Sequence, residues 1–453
     1  MARRKRRRGV SLGTIVILAW TALVVAATLM VLPRLSGDTT VTLDAGTMLQ
    51  ALSVFGDMPE LSLSDIPIVG TTTAPTATTV PGQAAPEQTL PPAVTPQPAQ
   101  TFVQPEPTLA PGGSFTLTIG GSVNMDEAVR KSGYYSESEK YDFTELFSLI
   151  QDEWTGDVTL LSMENLVIPG KKVSALNAPA AIMTALRSAG VDVLAMGFPK
   201  AFDQKLEGVT ATLTAAEENA LQVIGLYGSG GQQGLIRDVN GVQVGFLHYT
   251  QSLSSTGAKA VKSSKATYAV PLLSGEQAVS DIAALRSAGA QSVIVSVNWD
   301  GSKTTPTASQ KELAQQLANA GADVIVGSGT GIVQPAVWLD ATRSDGSKRQ
   351  VLCAYSLGSL INAERNNGDV ASLLLHLSIT VDGNGHVAVT QATYTPTYIW
   401  RYKQDGKYYY RVVASDQPAP DGMGSEQTDV KERALTNVQK YLGEDSVLTL
   451  RTK

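Results

Sequence analysis

The sequence predicts an α/β domain with a mixed sheet system, preceded by one membrane-spanning helix and a proline-rich linker. Three observations predict it. Thr184–Gly197 (TALRSAGVDVLAMG), Ala283–Val297 (AALRSAGAQSVIVSV) and Gln316–Ser328 (QLANAGADVIVGS) each read as a helix, a glycine stop and a continuous apolar strand. Strands apolar throughout are buried on both faces, which requires helices over the sheet. Two further strands, in GVQVGFLHYT and QVLCAYSLGS, have no evident helix before them, so antiparallel pairing is expected beside the parallel part.

The 453 residues leave room for two average domains, or for one large domain with appendages. Residues 1–9 form a basic tail containing Arg3, Arg4, Lys5, Arg6, Arg7 and Arg8, and Val10–Leu32 then runs 23 residues without a charge. At about 1.5 Å per residue, such a helix crosses a hydrocarbon core of about 30 Å. The basic tail keeps the N-terminus cytoplasmic and places everything after residue 32 outside the cell membrane. A cleaved signal peptide is the alternative, but its apolar core is usually about 7–15 residues, and VLPRLSGD is a poor cleavage site. Residues 33–70 are a juxtamembrane segment in which AGTMLQALSVFG suits a brief amphipathic helix. Residues 71–113 hold 10 of the 22 prolines, as in TLPPAVTPQPAQ, and read as an extended spacer.

Setting aside the six residues of the basic cluster leaves 29 of the 35 Lys and Arg against 41 Asp and Glu, a net charge of −12. An acidic exterior disfavours nucleic acid as a partner. The single cysteine, Cys353, excludes an intrachain disulfide, and its setting RQVLCAYSLG suggests a buried strand thiol rather than a nucleophile. A large outward-facing domain without disulfides fits a bacterial surface.

The folded part is expected from Ser114, where SFTLTIGGSV alternates apolar and polar residues before two glycines. Gly190, Gly289 and Gly321 stand where helices want a left-handed cap. Tyr398–Val413 (YIWRYKQDGKYYYRVV) reads as a hairpin about Asp405-Gly406. Its tyrosines suit cross-strand packing better than a carbohydrate platform. Residues 414–453 form a C-terminal segment with a surface helix from Asp429 to Leu442.

From about Ser114 to Val413 the chain resembles the CapA family of bacterial capsule and poly-gamma-glutamate synthesis proteins. The resemblance lies in FTLTIGGSVNM, DVTLLSMENLVIP, ALRSAGVDVLAMGFPKAFD, GVQVGFLHYT, SVIVSVNWDG, QKELAQQLANAGADVIVGSGTGIVQP, CAYSLGSLIN and YTPTYIWRYKQDGKYYYRVV, in family order. It implies a layered α/β sandwich of the metallophosphoesterase-like type, with a metal site at strand ends. The polar positions depart from that pattern. Gly121 replaces the aspartate that follows the first strand's glycine. Ser162-Met163-Glu164 replaces Asn-Leu-Glu and keeps only the carboxylate. Phe198-Pro199-Lys200 replaces Asn-Asn-His, with Asp203 retained three residues on. Asn298-Trp299 replaces His-Trp, Gly327–Gly331 replaces a loop bearing two histidines, and Ser359 replaces an asparagine.

The loop GSGTG therefore resembles a metal-site loop without its imidazoles. A nucleotide phosphate cradle would want a following lysine and helix, whereas IVQP follows here. Of the three histidines, His248 ends a strand, His376 alternates with apolar residues and His386 belongs to a turn, and none has a partner at metal-ligand spacing. No metal and no cofactor are implied. If the family fold holds, Glu164, Lys200, Asp203, Asn298, Asp300, Ser328 and Thr330 approach one strand-end rim and offer a cleft to a zwitterionic or sugar ligand. The expected protein is a single-pass, membrane-anchored surface member of the family. It would bind or scaffold without catalysis, with the membrane and a surface polymer or cell-wall component as partners. An active hydrolase or amide-processing enzyme using Glu164 and Asp203 without a dinuclear metal centre is the alternative. A purely structural surface domain is the third.

Overall fold

The computed structural model describes residues 112–229, 234–301, 303–343, 345–365 and 370–452. The basic tail, the 10–32 span, the 33–70 segment and the linker through residue 111 lie outside the described residues. Among the described residues no helix is long and apolar enough to cross a membrane.

β1 (Gly113–Val123) opens the fold. α1 (Glu127–Ser132), capped by Asp126, leads to the short β2 (Tyr134–Tyr135) and β3 (Lys140–Tyr141), then to β4 (Val158–Met163). α2 (Ala181–Ser188), β5 (Val193–Ala195), α3 (Lys205–Glu217) and β6 (Gln222–Ile224) follow in strict alternation. β7 (Leu235–Val239) turns into β8 (Val242–Thr250), and α4 (Ser255–Ser264) and α5 (Gly275–Ser287) precede β9 (Ser292–Asn298). α6 (Ala308–Ala320) and β10 (Val324–Ser328) are followed by β11 (Val333–Thr342), β12 (Lys348–Leu357) and β13 (Ser359–Ile361). The chain ends with β14 (Ala371–Val381), β15 (Val387–Gln404), β16 (Lys407–Ala414), α7 (Ser425–Leu442) and β17 (Thr449–Leu450).

These strands make two mixed sheets. The first runs β16-β15-β14-β1-β4-β5-β6, with β13 also on β1 and β17 on β15; the second runs β11-β12-β10-β9-β8-β7. In the first, β1, β4, β5 and β6 are mutually parallel while β14 meets β1 antiparallel. In the second, β8, β9, β10 and β12 are parallel and β7 and β11 close the edges antiparallel.

The sheets face each other. Phe115, Leu117 and Ile119 of β1 share one apolar cluster with Val244 and Phe246 of β8 and Val324 and Val326 of β10. A second cluster covers the outer face of the first sheet with Ile182 and Leu186 of α2 and Val209 of α3. A third covers the second sheet with Ile282 and Leu285 of α5 and Leu317 of α6. Successive residues of one strand serve different layers: Ile294 points between the sheets, whereas Val293, Val295 and Val297 point under the helices. This is why the strand is apolar throughout, and it makes the fold a helix–sheet–sheet–helix sandwich.

Gly190, Gly289 and Gly321 all have positive φ, the backbone that ends each preceding helix. Asp405 and Gly406 have φ of 50° and 79°, and Gln404 pairs with Lys407, a two-residue turn with both central residues left-handed. The closing helix begins at Ser425, not Asp429, and it is not only a surface element. Ala434, Val438 and Leu442 are buried in the cluster between the sheets.

Candidate functional site

Parallel strands from both sheets end on one side of the sandwich. Glu164 follows β4 of the first sheet, Asn298 ends β9 and Ser328 ends β10 of the second. Asn298 Nδ2 donates to Glu164 Oε1 at 3.3 Å and lies 3.5 Å from Ser328 Oγ. Asn298 and Ser328 are buried, while Glu164 keeps some contact with solvent. Burial raises the pKa of Glu164 above the ordinary carboxylate value, and the Asn298 amide offsets part of that rise.

Lys200 is exposed and lines a cavity of 340 Å³ with Glu164, Asn124, Asp126, Arg130 and Pro199. Asp203, Asn298, Asp300, Ser328 and Thr330 do not line that cavity. The carboxylate of Asp203 accepts from the hydroxyl of Ser254, the residue that caps α4. Asp300 accepts from Ser252 Oγ at 2.8 Å, and its own N–H donates to Gln251 Oε1 at 2.9 Å. Both acids thus stitch down the loop that follows β8. Thr330 is buried; its hydroxyl donates to the Ile332 carbonyl at 2.9 Å and lies 2.8 Å from Ser356 Oγ. Of the seven residues expected at one rim, Glu164, Asn298 and Ser328 form a hydrogen-bonded line and Lys200 stands beside Glu164. The other three hold loops.

Gln251, Ser252 and Ser254 were not among the expected rim residues. The serine before a helical stretch in LSSTGAKAV is the one local signal that marks Ser254 as a cap. Asn165 was also missed: its side chain accepts from the Met125 N–H at 2.7 Å and donates to the Ala175 carbonyl at 3.1 Å, shaping the wall of the cavity.

The residues present do not fit a two-metal centre. Such a centre needs several anionic or imidazole ligands around two cations. Among the described residues no group of three His, Cys, Asp or Glu is placed to hold an ion. A Cβ on Gly121 would meet the Gly358 carbonyl oxygen and the Ser372 hydroxyl, each at 2.4 Å, so the space for an aspartate there is filled. Gly329 has φ of 89°, and a Cβ on it would lie 2.6 Å from the Trp299 carbonyl oxygen.

The histidines are occupied elsewhere. His248 is buried between the sheets, with Nε2 2.7 Å from the Gly197 carbonyl oxygen and Nδ1 2.9 Å from Ser296 Oγ. A carbonyl only accepts, so Nε2 carries the proton and Nδ1 accepts from the serine. Burial lowers the pKa of His248 to about 4. His376 Nδ1 lies 3.3 Å from Thr118 Oγ1 and its Nε2 3.0 Å from Thr395 Oγ1; the Thr395 hydroxyl in turn donates to Glu153 Oε2 at 3.2 Å. Its pKa is also lowered to about 4, first by burial and then by Arg451. His386 faces Asp345 and Asp382 on an exposed turn, at 3.3 and 3.4 Å. Cys353 is fully buried, which raises its thiol pKa and leaves it inert.

Among solved structures, the calcineurin-like phosphoesterase YfkN from Bacillus subtilis is similar at a TM-score of 0.38 and 13% identity, over 73% of this chain and 99% of that one. The sulfate thiohydrolase SoxB of Thermus thermophilus in complex with glycerol is similar at a TM-score of 0.31 and 10% identity, over 71% of this chain and 59% of its own. These likenesses are too distant to bear on activity. No curated protein is similar enough to count as a relative. The family of bacterial capsule synthesis proteins, PGA_cap, matches residues 116–364, from β1 through the segment after β13. That match spans more than half of the chain and includes every residue of the strand-end rim, so the chain belongs to the bacterial capsule synthesis protein family PGA_cap.

Proposed function

We propose that this capsule synthesis family member works outside the cell membrane, anchored by residues 10–32, as a non-catalytic binding or scaffolding protein. Its ligand is a polar surface polymer or cell-wall component, recognised at the cavity beside Glu164 and Lys200. The observation that carries the reading is the filled space at Gly121: the backbone and hydroxyl of Gly358 and Ser372 stand where a first metal-binding carboxylate would project. The Asn298–Glu164 hydrogen bond supports it, because this retained carboxylate is already engaged from the facing sheet, and the other, Asp203, accepts from the Ser254 hydroxyl. Lys200 adds a cation beside the same carboxylate's cavity, which disfavours a divalent ion and favours a ligand bearing charges of both signs.

The test is metal analysis of the full chain purified in detergent after exposure to zinc, manganese and iron. Substoichiometric metal is the expected result; two tightly held ions per chain would overturn the reading. One observation favours a second reading, an enzyme without metal: burial keeps a proton on Glu164 to higher pH than usual, as a general acid needs. Hydrolysis of phosphoesters or glutamyl peptides by the full chain, lost in Glu164→Gln with the fold intact, would establish that reading in place of the first.

A further inference from the structure

A second cavity, of 390 Å³, lies between β15 and α7. Three arginines line it: Arg365 from the segment between β13 and β14, Arg401 from β15 and Arg433 from α7. Among the described residues of the lining Glu426 is the one carboxylate, so there three positive charges meet one negative. None of the three guanidiniums forms an ion pair with a described residue.

Arg365 is the most constrained of them. Its Nη1 donates to the Glu364 carbonyl at 2.9 Å, and its guanidinium sits 5.1 Å from the centre of the Tyr410 ring. Its Nε and Nη2 are buried without an acceptor among the described residues. These two donors form one edge of the guanidinium, the edge that grips a carboxylate or phosphate through two parallel bonds. A buried charged donor left unmet is costly, and like charges gathered beside it add to the cost. Both effects act here: burial, first, and the neighbouring Arg401 lower the pKa of Arg365, while the phenol oxygen of Tyr410, by charge and hydrogen bonding, and Tyr398 oppose them. Burial raises the pKa of Tyr398, and the fields of Arg365, Arg401 and Arg433 oppose that rise while Glu426 adds to it, so all four charges act on one spot.

We infer that this cavity is a binding site for a small ligand carrying two or more negative charges on phosphate or carboxylate oxygens. Gln427 on α7 and the Tyr398 ring give the ligand a polar and an apolar wall. Arg401 and Arg433 are exposed and supply the charge that draws the anion in, and Arg365 supplies the buried fork. The described residues of the site come from β15, α7, Arg365 and Val370, and they stand apart from the cavity of Glu164 and Lys200. Its fate is therefore independent of the reading proposed for that cavity.

The test uses the full chain in detergent, titrated calorimetrically with pyrophosphate and with citrate at constant ionic strength, and with chloride as the control. Saturable binding of one or both polyanions is expected, with chloride silent. Binding of pyrophosphate alone assigns a phosphate ligand, and binding of citrate alone a carboxylate one. Arg401→Gln and Arg433→Gln, both at exposed positions that need not disturb the fold, should each weaken binding by about tenfold or more. Lys311→Gln, an exposed change on α6, should leave it unchanged. Absence of saturable binding by either polyanion overturns the inference. So does binding that survives the Arg401→Gln, Arg433→Gln double variant undiminished.

Discussion

Asn298 Nδ2 reaches Glu164 Oε1 across 3.3 Å from the opposite sheet, so a single hydrogen bond ties the end of β9 to the end of β4. The carboxylate it meets is one that burial already disfavours as an anion. In the unfolded chain Glu164 ionises near 4.5, below its folded value. Stability from this group is therefore full below that pH and is lost as pH rises through the raised folded pKa. Glu164→Gln keeps the shape and the Asn298 contact but removes the titration. It should melt at higher temperature than the parent at neutral pH and at the same temperature below the unfolded pKa. A variant less stable at neutral pH would show that the charged form is favoured at this position.

His248 and His376 carry the opposite sign. Each has a folded pKa of about 4 against an ordinary 6.5. As pH falls through 6.5 the unfolded chain takes up protons that the folded chain refuses until about 4, so stability is lost across that window. Each histidine contributes a loss on the order of 3 kcal/mol by the lower end. Urea unfolding at several pH values should show uptake of up to two protons on unfolding, and His248→Gln should remove one of them. A pH-independent stability across that window would contradict the buried, neutral assignment.

At the amino ends of β9 and β10, Asp323 receives Arg286 Nη2 at 2.5 Å and Arg349 Nη1 at 2.7 Å. Arg349 is 7% exposed, and it also donates to the carbonyls of Ala318 and Ala322. Asp323→Ala would leave a buried guanidinium without its counter-charge, and should cost about 3–5 kcal/mol in chemical denaturation. Arg286→Gln, which removes the more exposed partner, should cost less.

Gly327 is held by packing rather than by chemistry. A Cβ there would lie 1.9 Å from the Tyr355 carbonyl oxygen and 2.1 Å from Trp299 Nε1. Gly327→Ala should destabilise by at least the ~1–3 kcal/mol typical of overpacking. Gly121→Asp, which restores a carboxylate at the end of β1, should likewise lower the melting temperature. Metal analysis of that variant should show no gain of bound zinc or manganese. A stable Gly121→Asp protein that acquires metal would mean the space is less filled than the backbone contacts require.

The regular parts of the fold were legible because their causes are local. A helix that ends on Gly190, Gly289 or Gly321 needs a left-handed residue there, and a strand apolar throughout needs cover on both faces; neither depends on distant residues. The Asp405-Gly406 turn was legible for the same reason. The start of α7 was placed four residues late because SEQT is polar and carries no apolar period; its helical state is set by the face that Ala434, Val438 and Leu442 bury farther along.

The site was legible only in its residue types. The sequence by itself determined that imidazoles and carboxylates are few where the family resemblance asks for metal ligands, since composition and spacing need no coordinates. Tertiary structure alone decided that Glu164 meets Asn298, that Asp203 and Asp300 hold a loop instead of lining the cavity, and that Arg365, Arg401 and Arg433 converge. Those residues are separated by tens to hundreds of positions. Which side chains meet is fixed by how two sheets stack and where α7 docks, and that depends on the sum of burial over the whole core rather than on any short stretch of sequence.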